Sequence, residues 1–96
     1  MTCITKTVFA ELCRLNILSS SEELSAMMGR TSAYARSIWC RNTTVTTEAL
    51  FHLYIDLGSL VMEMADQPIT ATALAALQTS IWQELCARAH AKLEVA

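Results

Sequence analysis

Ninety-six residues supply one domain and one core, with no room for a second. Apolar residues make up 53% and charged residues 17%, with two glycines and one proline, which leaves too little turn punctuation for a fold of many short strands. The net charge of −2 argues against a uniformly basic nucleic-acid binder, and no apolar run is long and uninterrupted enough to span a bilayer.

Ala, Leu and Met dominate the apolar set and favour helix, so the expected fold is all-α with about five helices in a single domain, 1–96. The first helix is predicted over about Thr5 to Leu15, where Val8, Phe9, Leu12 and Leu15 recur at helical spacing. Asn16 to Ser19 connects it to Ser20 and Glu23, which have the spacing of a capping box. A short second helix, about Ser21 to Met28, turns Leu24, Met27 and Met28 inward and stops at Gly29, a residue that accepts positive φ without steric cost.

Thr31 or Ser32 is placed to cap a third helix reaching about Arg41, with Ala35, Ile38 and Trp39 facing inward. After the loop Asn42–Val45, Thr46 or Thr47 opens a fourth helix to about Ala65. Its polar residues (Glu48, His52, Asp56, Ser59, Glu63 and Asp66) form one narrow stripe. The rest of its girth is apolar, which predicts a central helix packed on more than one side. Pro68 suits the first turn of a fifth helix, about Ile69 to Leu93, whose stripe is Leu74, Leu77, Ile81, Leu85 and Ala89.

Charge is uneven along this order. From Leu24 to Thr47 there is no acid, and Arg30, Arg36 and Arg41 are present; elsewhere Lys6, Arg14, Arg88 and Lys92 stand against nine acids. For phosphate the local field counts for more than the total.

Within 20–41, two short helices meet at Gly29, with the small Ser25 four residues before it. Met28 and Ile38 are apolar seats on either side. In this arrangement the small residue lets the helices cross closely and the glycine makes the turn. The segment resembles the helix-turn-helix of Cro/repressor-type proteins, as in small phage and plasmid-encoded regulators. The likeness extends over roughly Thr5 to Leu57 and departs at Arg30 and Ala35, where the family usually carries apolar and β-branched residues.

The resemblance implies a DNA-binding transcription regulator of phage or mobile-element type that binds duplex DNA. A homodimer through helices in 46–94 is expected from their apolar surplus and because one short recognition helix alone rarely gives enough affinity. Carried onto this chain, the DNA-facing residues are Arg30, Thr31, Ser32, Ala33, Arg36, Ser37 and Arg41, with Cys40 at the edge. Arg36 is the base-reading candidate, because a guanidinium bonds both acceptors of a guanine edge; Arg30 and Arg41 suit phosphates. The alternative is a protein-binding inhibitor of a host defence complex, anti-CRISPR-like, on the same scaffold.

Other constellations are weaker. Glu48, His52 and Asp56 share a helix face but lack a clear further metal ligand, so no metal and no cofactor is expected. Cys86 and His90 stand four apart without an orienting third group, and no enzyme is expected. Cys3, Cys13, Cys40 and Cys86 contain no C-x-x-C pair and read as buried thiols, and the start of the chain shows no apolar stretch of signal-peptide length, so the expected compartment is the cytoplasm, away from membranes. Met27, Met28, Met62 and Met64 read as core, and Trp39 and Trp82 as packing anchors.

Overall fold

The computed structural model describes residues 4–41 and 43–95, the last four of these as backbone only. These residues form five helices and no strand: α1 (Ile4–Arg14), α2 (Ser21–Met27), α3 (Tyr34–Arg41), α4 (Thr47–Glu63) and α5 (Pro68–Val95). The all-α expectation holds. No helix among the described residues is long and apolar enough to cross a membrane. Cys3 and Asn42 lie outside the described residues.

The chain divides into two units, Met1–Leu53 and Tyr54–Ala96, with the division inside α4. In the first unit, Val8 and Leu12 of α1, Leu24 and Met28 at α2, and Ala35 and Ile38 of α3 are buried, together with Ala49, Leu50 and Leu53 of α4. Trp39 anchors α3 to α1: its indole N–H donates to the buried Thr5 Oγ1 at 2.9 Å, and its ring lies 5.4 Å from that of Phe9. Trp39 is half-buried, and such a partner matters because an indole N–H left unpaired away from water is costly.

The first two helices end by the same device. Asn16 adopts φ 61°, its N–H reaches the Cys13 carbonyl and the Ile17 N–H reaches that of Leu12. Gly29 adopts φ 69°, its N–H reaches the Ala26 carbonyl and the Arg30 N–H that of Ser25. Each is a Schellman stop, in which one left-handed residue lets the chain fold back onto carbonyls that the helix leaves unpaired. The capping box forms by half. Ser20 accepts the Glu23 N–H, but the Glu23 carboxylate takes the N–H and hydroxyl of Ser19 instead of the Ser20 amide.

In the second unit α4 and α5 meet along Tyr54, Gln78 and Trp82. The Gln78 side-chain amide donates to the Tyr54 carbonyl at 3.2 Å, and the Tyr54 and Trp82 rings lie 5.6 Å apart. Gly58 leaves the space for this approach, since a Cβ there would stand 2.8 Å from Gln78 Nε2. Pro68 opens α5 as expected, with Ala71 N–H donating to the Gln67 carbonyl. Leu57, Leu74, Leu77 and Ile81 are buried, whereas Leu85 is half-buried and Ala89 exposed, so the apolar stripe of α5 is covered only in its first half.

Four expectations about burial need correction. The girth of α4 is not apolar-packed all round: Phe51, Ile55 and Met62 are 51%, 50% and 80% exposed, and burial is confined to Ala49, Leu50, Leu53 and Leu57. Met62 is therefore not a core residue, and Trp82, half-exposed, is only partly an anchor. None of the described cysteines is a buried thiol: Cys13 and Cys86 are half-buried and Cys40 exposed. Composition reports how many apolar residues a helix has, but not how many neighbours are there to cover them.

Candidate nucleic-acid interface

The interface is built on Ser25. This serine is fully buried, donates to the Ser21 carbonyl at 3.0 Å and accepts the Ala35 N–H at 2.9 Å. Ala35 N–H belongs to the first turn of α3, where no helical carbonyl is in reach. The Ser25 hydroxyl thus satisfies an orphan donor of α3 while its small side chain lets α2 and α3 pack directly on one another. Ala35 is itself fully buried at this contact, which explains a small residue where a β-branched one was expected from the resemblance.

Because Ser25 serves the start of α3, Thr31 and Ser32 do not cap it. The helix begins at Tyr34, whose N–H donates to the Thr31 carbonyl, while the Ser37 N–H donates to that of Ala33. Thr31, Ser32 and Ala33 are exposed but lie in the turn ahead of α3. On α3 itself Ala35 and Ile38 face inward, so Arg36 and Cys40 fall on the exposed side and Ser37 is half-buried at its margin. Arg41 is exposed in the last turn, where a cation also complements the helix dipole. Among the described residues neither Arg36 nor Arg41 has an ion-pair partner.

Arg30 is placed differently. Its guanidinium stacks 5.6 Å over the Tyr34 ring, and Nη2 lies 3.4 Å from Thr46 Oγ1 and 3.5 Å from Glu48 Oε2. Its Nε is buried with no acceptor among the described residues. Around it, the Tyr34 hydroxyl accepts the Thr46 N–H at 3.2 Å and donates to Thr46 Oγ1, which in turn accepts the Ala49 N–H as the cap of α4. The turn after Gly29 is thereby tied to the start of α4. Tyr34, Thr46 and Glu48 were not identified from sequence as partners of Arg30; Tyr34 stands only four residues on, whereas the sixteen and eighteen residues to Thr46 and Glu48 carry no periodic signal.

The weaker constellations do not assemble. Among the described residues no three His, Cys, Asp or Glu side chains gather as metal ligands. Glu48 faces Arg30, and the His52 ring lies against the Gly29 turn, where a Cβ would stand 3.2 Å from its Cγ and Nδ1. Cys86 is half-buried and His90 exposed on α5.

What the exposed face of α3 offers is an eight-residue helix, about 12 Å long by its rise per residue. It presents one exposed guanidinium at its middle and one at its end, with hydroxyls in the turn before it. Comparison with known proteins returns no matching family model, no similar curated protein and no similar solved structure, so a functional reading rests on this chain's own residues.

Proposed function

We propose that the protein is a DNA-binding regulator of phage or mobile-element type, which binds duplex DNA as a homodimer with α3 as recognition helix. One observation carries the reading: Arg36 stands on the exposed side of α3 without an ion-pair partner among the described residues, while Ala35 and Ile38 seat the opposite side. In this reading Arg36 bonds O6 and N7 of a guanine, Arg41 neutralises a phosphate, and Thr31, Ser32 and Ser37 donate to phosphates or base edges. The absence of acids between Leu24 and Thr47 supports it, because nothing in that segment repels the backbone.

The second copy supplies the affinity that one short helix lacks, and the exposed Phe51, Ile55 and Met62 of α4 support a dimer by offering apolar side chains to cover. Two recognition helices about 34 Å apart then meet half-sites one turn apart. Selection from a pool of randomised duplexes tests the reading. The expected outcome is a two-fold-symmetric consensus with guanine contacts that Arg36→Ala abolishes. Failure of any sequence to enrich, with light scattering showing a monomer at micromolar concentration, moves the function to the alternative, inhibition of a host defence complex by protein binding.

A further inference from the structure

Resting on that reading, we infer that Glu48 governs the availability of Arg30 for the DNA backbone, as an internal stand-in for a phosphate. The geometry is that of a weakly held cation. Both polar contacts of the guanidinium are long, at 3.4 and 3.5 Å, both use the same nitrogen, and Nε has no acceptor among the described residues. Glu48 is 73% exposed, so its hold on Arg30 is largely screened by water. A phosphate oxygen offers the guanidinium a shorter, charge-assisted bond. Arg30 follows directly on Gly29, on the turn that carries Thr31 and Ser32 toward α3, so a phosphate flanking the groove lies within reach of the side that bears them.

In the free protein the pair leaves this turn without net charge. On binding, Arg30 exchanges the carboxylate for a phosphate, so the cost of breaking the pair is subtracted from the binding free energy. Glu48 therefore lowers affinity for every duplex, specific or not, and lowers the number of counterions released. Tyr34 keeps the guanidinium stacked throughout and limits its excursion.

Fluorescence anisotropy with a labelled mixed-sequence duplex, at several salt concentrations, tests this with four proteins besides the wild type: Glu48→Gln, Glu63→Gln, Arg30→Gln and Arg30→Gln/Glu48→Gln. Glu63 is exposed near the end of α4 and matches the change in net charge. The expected result is that Glu48→Gln binds about threefold tighter or more, with a steeper salt slope, that Glu63→Gln does not, and that the gain disappears on the Arg30→Gln background. Equal gains from Glu48→Gln and Glu63→Gln, or a gain that survives without Arg30, overturn the inference. So does an unchanged Glu48→Gln in a protein whose wild type binds. If neither wild type nor Glu48→Gln binds at low salt, the DNA-binding reading fails first and this inference with it.

Discussion

Replacing Gly29 by alanine isolates the backbone conformation on which the orientation of α3 depends. The residue sits at φ 69°, where an L side chain costs about 1–2 kcal/mol relative to glycine. The added methyl group also stands 3.2 Å from the His52 ring, closer than ordinary contact, although that ring is exposed and has room to turn aside. Against this, alanine restricts the unfolded chain and recovers about 0.4–1 kcal/mol. The net expectation is a loss of about 1 kcal/mol, or roughly 4–8 °C in Tm for a domain of this size.

Urea unfolding followed by far-UV circular dichroism measures it. Asn16 provides the opposite experiment, since it holds φ 61° at the corresponding stop of α1 and Asn16→Gly relieves the same strain. The two substitutions should move stability in opposite directions, with Gly29→Asn intermediate because asparagine tolerates this region. A Gly29→Ala variant within about 0.5 kcal/mol of wild type, the range of inconsequential surface changes, would refute the role given to the turn.

Further outcomes are expected. Ser25→Ala leaves the Ala35 N–H buried without an acceptor and should cost about 1–3 kcal/mol by the same urea assay, with hydrogen exchange accelerated at the start of α3. Gly58→Ala gains helix propensity but pushes the Gln78 amide off the Tyr54 carbonyl, so these effects of about 1 kcal/mol each should nearly cancel in urea unfolding. Glu11 and Arg14 form an exposed pair on α1, and the hydrogen bond from Arg14 holds the Glu11 carboxyl below its ordinary pKa. A depressed acid stabilises the fold above its unfolded pKa and loses that contribution as pH falls through the folded value. Carboxyl-carbon NMR titration should show Glu11 ionising below the usual glutamate range, and Arg14→Ala should return it there; no upward movement would contradict the pairing.

Helix positions were legible because each rests on local chemistry. The stop at Gly29, the cap at Ser20 and the opening at Pro68 all follow from what one residue does to its own backbone, and all three are present. The inward set Ala35 and Ile38 was legible from spacing alone, and with it the exposure of Arg36. What spacing does not encode is a partner distant in the chain. The Ser25 hydroxyl displaces Thr31 and Ser32 as the cap of α3 because tertiary approach brings a buried acceptor to Ala35. Arg30 looks free in sequence, yet it meets Thr46 and Glu48 once the turn reaches α4. The exposure of Phe51 and Met62 was missed for a related reason, since periodicity locates a face without saying what lies opposite it.

The proposal that α3 docks on duplex DNA is tested most directly by the salt dependence of binding to a selected duplex, for wild type and Arg41→Ala. In a dimer each Arg41 contributes one phosphate contact, so removing both should flatten the slope of log K against log salt by about two while leaving sequence preference intact. An affinity independent of salt, or a slope unaltered by loss of Arg41, would contradict it.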